Sequence, residues 1–172
     1  MLFGYLISRL RSELLSTEFD WDNGDDAFPP ENKGLTGDSR TEARLCAVQG
    51  LYQSLVMPAD ARDVAAEFEG RLGRRKADKK MFRAIMAEAG EGAERFKTML
   101  TAEIQENWEW DRMDPVLRAL AWAGAAELTA IPDVPVAVVV NEYLNISKAF
   151  VTAEEVAYLN RTLDSVAKKV RG

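Results

Sequence analysis

Arg40 and Arg44 lie four residues apart at the start of a helical pattern, so both project from one face. Cations near a helix N-terminus oppose the helix dipole, which makes the pair a poor choice for stability. Contact with a phosphate backbone would explain them, and two solvated charges are the plainer alternative. A second group lies near the C-terminus, where Glu154, Tyr158, Asn160 and Arg161 flank an apolar stripe. Tyr158 falls between the stripe positions Val156 and Leu159. A ring there either covers the core or stacks on an unpaired base. Asn160 offers a donor and an acceptor to a base edge or to a neighbouring helix, and Arg161 offers a charge to phosphate. Arg71, Arg74, Arg75, Lys76, Lys79, Lys80 and Arg83 place seven bases within thirteen residues. Most such runs are solvated faces and turns.

Catalytic chemistry has little to work with. The chain contains no histidine, which removes the commonest general base, the usual zinc ligands and every Ser-His or Cys-His nucleophile. Carboxylates alone can still catalyse. Glu127, Asn141 and Glu142, however, sit on helices among apolar neighbours and read as structural hydrogen-bonding groups. Cys46, between Ala43, Ala47 and Gly50, reads as a small core residue. A single cysteine excludes an internal disulfide framework and fits a reducing cytoplasm. No glycine-rich phosphate loop is present, so no cofactor is expected. The net charge of −6 does not decide against a polyanionic partner. Residues 1–37 hold seven acids and three bases, leaving residues 38–172 nearly neutral with 21 acids and 19 bases. A local basic face is compatible with that balance.

The elements that must position these groups are helices. Apolar spacing predicts a short amphipathic helix from Met1 to about Ser16, followed by a loop to Gly37 rich in Asp, Gly and Pro. No apolar run approaches the length of a membrane span. The domain proper is expected over 38–172. Asp38 or Ser39 caps a helix reaching about Val56, Asp60 one over 61–72, and two more run over 78–89 and 92–105. Trp108, Trp110 and Trp122 read as core or interface anchors. Asp114-Pro115 opens the fifth helix and Pro135 the sixth, of about 15 residues. Val136 to Val140 alone could be a strand, but Tyr143, Ile146 and Phe150 keep helical spacing. Thr152 and Glu155 form a capping box for the last helix, with its stripe of Val156, Leu159, Leu163, Val166 and Val170. The expected fold is an all-α bundle of about seven helices.

Several motifs, in order, resemble the NusB family. Arg40-Thr-Glu-Ala-Arg44 runs into Ala47-Val-Gln-Gly-Leu-Tyr52-Gln53. Asp114-Pro-Val-Leu-Arg118, Ala126-Glu127-Leu128, Asp133-Val-Pro135, Val140-Asn141-Glu142, Lys148-Ala-Phe150, Leu159-Asn160 and Leu163-Asp164 then follow with the family's spacing. The resemblance covers about residues 38–170 and implies a transcription antitermination factor rather than an enzyme. Such a protein pairs with a small-subunit ribosomal protein (NusE) and binds the single-stranded boxA element of ribosomal RNA transcripts. It then joins other Nus factors on RNA polymerase. Carried onto this chain, Arg40, Arg44, Glu154, Tyr158, Asn160 and Arg161 are the expected RNA contacts. Tyr52, Gln53, Leu117 and Arg118 are the expected contacts to the protein partner. A homodimer that hides the RNA face also occurs in this family. Several positions depart from its pattern: Thr41-Glu42 interrupts the arginine cluster, Leu117 replaces a glutamate, Val151 and Arg161 each replace a glycine, and Tyr158 stands for a phenylalanine. The alternative reading is a module of the same fold that binds protein and not RNA.

Overall fold

The structure, a computed structural model, describes residues 38–104 and 108–172, and the helix expected over Met1 to Ser16 lies outside them. Seven α-helices are present among the described residues: α1 Ser39–Val56, α2 Ala61–Arg74, α3 Lys79–Glu91, α4 Ala93–Thr101, α5 Pro115–Ala130, α6 Val136–Ser147 and α7 Ala153–Arg171. A 3-10 turn, Trp110–Arg112, precedes α5. No helix among the described residues is long and apolar enough to cross a membrane.

Local chemistry sets the helix starts. The carboxylates of Asp38, Asp60, Asp78 and Asp114 accept hydrogen bonds from the N–H groups of Arg40, Arg62, Met81 and Val116, at 2.8–2.9 Å. Each satisfies a donor that the first helical turn would leave unpaired. Pro115 occupies the first turn of α5, where a missing N–H costs nothing. Thr152 and Glu155 cap reciprocally, with Thr152 N–H donating to Glu155 Oε2 at 2.8 Å. Several ends differ from the sequence expectation, α2 and α3 each running two residues further, to Arg74 and Glu91. Helix α4 stops at Thr101 rather than Gln105, and α6 is 12 residues long with Pro135 as its N-cap rather than its first residue. The valine run of α6 is helical because Val139, Val140, Tyr143 and Ile146 all reach the core at helical spacing.

Helix α5 lies at the centre and is buried on nearly every side, from Leu117 and Leu120 through Ala126 and Leu128. Helices α1, α3, α4, α6 and α7 all pack on it. Its small residues Ala119, Ala121, Ala123, Gly124, Ala125 and Ala126 let those neighbours come close. Leu163 of α7 seats on Gly124, where a Cβ would lie 2.7 Å from its Cδ2. Further along, the Arg171 guanidinium donates to the carbonyls of Leu128 and Ile131 at 2.7 and 2.8 Å, and also to that of Val134. A cation here satisfies the last carbonyls of α5 and complements its dipole. Gly124–Leu163 and Leu128–Arg171 together align α7 parallel to α5.

One charge cluster is sunk in this core. Arg44 is 2% exposed and Glu127 fully buried. The guanidinium donates to Glu127 through Nε at 2.9 Å and Nη2 at 2.8 Å, and to Glu142 through Nη1 at 3.0 Å. Thr41 Oγ1 donates to the same Glu142 oxygen at 2.8 Å. Burial disfavours the charge on Arg44, but hydrogen bonding and attraction from Glu127, with Glu142 behind it, outweigh that and hold the guanidinium protonated. Burial, then the Glu127 charge, pushes the phenol of neighbouring Tyr143 well above its ordinary range. Arg44 stands one turn into α1 and Glu127 one turn before the end of α5, so the two helices, packed side by side, run antiparallel.

Removing one partner strands the other in the core, so Arg44→Ala or Glu127→Ala should each cost about 3–5 kcal/mol in urea denaturation. The double variant Arg44→Met/Glu127→Leu should lose less than either single change, because Glu142 is part-exposed and can turn to water. A double variant as unstable as the sum of the two would contradict this account. The glycines give a second test. Gly124→Ala should lower stability by about 1 kcal/mol, crowding against Leu163 outweighing the gain in helix propensity. Gly70→Ala, with nothing within 4 Å of the new Cβ, should raise it by about 0.5–1 kcal/mol. Thermal melts that rank the two variants in the opposite order would refute the close α5–α7 contact.

Candidate nucleic-acid interface

The N-terminal half of α7 runs beside the start of α5 and the connector that precedes it. A groove of about 350 Å³ forms there, lined by Glu154, Ala157, Tyr158, Asn160, Arg161 and Trp108. Four of the expected RNA contacts therefore converge on one surface. Helical spacing explains the grouping: residues 154, 157, 158 and 161 recur at intervals of three and four along one face of α7. Glu154, Asn160 and Arg161 are exposed.

Tyr158 is in the groove but is not its open platform. Its side chain is only 2% exposed, and burial raises its phenol above the ordinary value. The ring lies against Trp108, centroids 5.2 Å apart and planes tilted by 37°. Trp108 is half-buried and covers Tyr158 from the solvent side. Expecting an exposed stacking tyrosine is thus corrected: the accessible aromatic face belongs to Trp108, held in place by the tyrosine beneath it. Sequence reasoning took Trp108 for a core or interface anchor. Its connector has no periodicity to assign a side, and the only hint was an indole in a polar stretch. On its other side Trp108 walls a second groove of about 490 Å³, shared by Glu109, Arg112, Met113, Asp114, Leu117 and Glu155.

The remaining expected contacts divide. Arg44 is a correction: its guanidinium is consumed by Glu127 and Glu142 inside the core and cannot reach a phosphate without breaking that cluster. Arg40, one turn earlier, is exposed. It begins α1 beside the C-terminal part of α5, whereas the groove flanks the N-terminal part. From Asp114 to Glu127 the helix rises about 20 Å, so Arg40 is not a member of the groove.

On the partner side, the antiparallel pairing brings the C-terminal half of α1 and the start of α5 to the same end of the bundle. Tyr52 and Leu117 are buried there, which corrects the expectation that both present surface. Leu117 packs inside and presents no apolar contact at the surface. Gln53 and Arg118 are half-buried at the edge. Gln53 donates to Glu67 at 2.8 Å, and Arg118 lies 3.9 Å from Asp111 with its guanidinium 5.9 Å from the Trp110 ring centroid.

The comparisons with known proteins agree with this architecture. The family model described as NusB family matches residues 41–168. The transcription antitermination protein NusB of Brucella ovis is 41% identical over 152 residues, covering 84% of this chain and 89% of the relative. The protein of the same name from Brucella suis matches to the same extent. A solved NusB structure from T. maritima superposes with a TM-score of 0.64 over 77% of this chain and 92% of that one, at 22% identity, and so speaks for the fold. With the family model spanning most of the helical domain and the relatives covering most of both chains, this chain belongs to the NusB family.

Proposed function

We propose that this chain is a transcription antitermination factor that works by binding. Its RNA target is a boxA-type single-stranded element of ribosomal RNA transcripts, taken together with a small-subunit ribosomal protein, NusE. The complex then joins other Nus factors on RNA polymerase and supports ribosomal RNA synthesis. The observation that carries this reading is the convergence of Trp108, Tyr158, Asn160, Arg161 and Glu154 on one groove. An unpaired base stacks on the indole, a contact that tolerates any base because every base has a π-face. Asn160 and Glu154 supply hydrogen-bonding groups for base edges, and Arg161 supplies charge for the backbone. Arg44 takes no part beyond fixing α1 to α5. The ribosomal protein meets the adjoining end of the bundle at Gln53 and Arg118. Because RNA and protein share neighbouring surfaces, each is expected to raise affinity for the other by the same factor.

The test is binding of labelled boxA-type RNA, with and without the ribosomal protein, at low and moderate salt. Trp108→Ala should weaken RNA binding about tenfold or more, the loss of one base stack, with the thermal midpoint followed in parallel. Tyr158→Phe should bind nearly as well as the unsubstituted chain, because its ring rather than its hydroxyl supports the indole. RNA affinity absent under every condition, with ribosomal-protein binding intact, would instead assign the chain to the protein-interaction alternative.

A further inference from the structure

The turn between α2 and α3 carries a lysine where the backbone favours glycine. Helix α2 ends in a Schellman arrangement, with Ala77 N–H donating to the Leu72 carbonyl at 3.1 Å and Lys76 N–H to that of Gly73 at 3.3 Å. Lys76 holds the left-handed position with φ +54°, the only non-glycine residue to do so among the described residues. Glycine adopts that conformation without the Cβ penalty a lysine carries. The Lys76 side chain is exposed, so burial does not offset the strain. A sparsely populated backbone state retained at a surface position is a pointer to function.

The surroundings point to a polyanion. Between Arg71 and Arg83 there are seven bases against one acid, Asp78, whose carboxylate is engaged in capping α3. Arg83 is held by Glu69 at 2.7 and 2.8 Å, and Arg75 faces Glu42 at 3.9 Å. Lys76, Lys79 and Lys80 are exposed, and the acid Glu69 is held by Arg83 first and feels Lys79 only as a weaker added attraction. The Lys79 ammonium folds back to within 3.8 Å of where a Cβ on Gly73 would stand. Asp78 N–H also donates to the Ser39 carbonyl at 2.8 Å, which fastens the turn to the start of α1 and brings Arg40 alongside. The exposed lysines of the turn thus lie next to the start of α1, where Arg40 is also exposed. Among the described residues this surface has no exposed large aromatic or aliphatic anchor of the kind a protein interface is built around.

We infer that Lys76, Lys79 and Lys80 of the α2–α3 turn form an RNA-contacting surface beyond the expected contact at Arg40, which holds the sugar-phosphate backbone of single-stranded RNA outside the groove. This rests on the RNA-binding reading of the chain. Contact is by charge alone: the lysines displace counterions from phosphates and read no sequence. Its place at the other end of α5 suits RNA that extends beyond the bases seated at Trp108.

The experiment measures binding of the full chain to an unstructured single-stranded RNA across a salt series. The chains compared are the unsubstituted one, Lys76→Gly, Trp108→Ala and the triple variant Lys76→Gly/Lys79→Gln/Lys80→Gln. The slope of log affinity against log salt should flatten by about 0.7 for Lys76→Gly and about 2 for the triple variant. Affinity of the triple variant at about 0.1 M salt should fall at least tenfold. Lys76→Gly should meanwhile raise the thermal midpoint by relieving the left-handed strain, a separation of affinity from stability that a structural role would not produce. Trp108→Ala should lower affinity and leave the slope unchanged. If the triple variant keeps the slope of an unsubstituted chain that binds RNA, this surface belongs to an acidic protein partner and the inference is overturned, while the groove reading stands. An unsubstituted chain that fails to bind any single-stranded RNA overturns both.

Discussion

Helix α5 is enclosed by five other helices, and a helix enclosed on all sides has no polar face on which to place its one charged interior residue. Glu127 is that residue, fully buried at the end of the apolar series. An isolated carboxylate at such depth is intolerable, so the fold must bring it a cation and enough donors to occupy its oxygens. Arg44 does both, gripping Glu127 with two nitrogens and Glu142 with a third. Three helices, α1, α5 and α6, are therefore fixed in mutual register by one guanidinium. Replacing such a cluster with apolar groups is often neutral for stability, so its contribution is better placed in specificity. A slip of α1 along α5 by one turn would strand a buried charge.

Register then propagates to the site. Gly124 admits Leu163, and Arg171 closes the end of α5, so α7 has one axial position against the central helix. That position sets residues 154–161 beside the connector carrying Trp108. The groove is accordingly a product of core packing some distance from it. Tyr158 links the two levels. Its ring is part of the interior on one side and the seat of the indole on the other, which explains why a nearly inaccessible residue can still shape a binding surface.

Much of this was legible in the sequence, for reasons that are local. Aspartates before apolar periodicity, Pro115 in a first turn, and the Thr152–Glu155 box act within four residues and need no tertiary context. Glu154, Tyr158, Asn160 and Arg161 come to one groove because helical spacing puts them on adjoining faces of α7. Nearness to a helix start and the family resemblance both point Arg44 toward RNA, and the core claims it instead. Its position relative to the apolar stripe was the better signal: Arg44, Val48 and Leu51 fall at intervals of four and three, the spacing of a buried face. Glu127 follows Leu120 and Ala123 in the same manner on α5. A base and an acid each standing on the buried stripe of its own helix is a pattern that forecasts an internal ion pair. Trp108 lay beyond such logic, because a connector has no period and its side is chosen by the helices it joins.

The distribution of charge explains how an acidic chain can serve a polyanion. At physiological salt a charge is screened beyond about 8 Å, so the total of −6 says little about the field at any one surface. Glu154 opposes Arg161 within the groove, leaving a site with little net attraction for phosphate but with groups suited to base edges. The charge-driven part of the affinity on the proposed reading must then come from elsewhere, and the exposed lysines of the α2–α3 turn are placed to supply it. Keeping the two functions apart has a physical advantage. A strongly basic groove would hold any backbone regardless of its bases, whereas on the proposed reading a nearly neutral groove beside a remote basic surface lets charge add strength of binding and leaves Asn160 and Glu154 to read base edges. The left-handed lysine fits the same division, since its backbone closes α2 as a glycine's would while its exposed side chain is free to be chosen for its charge.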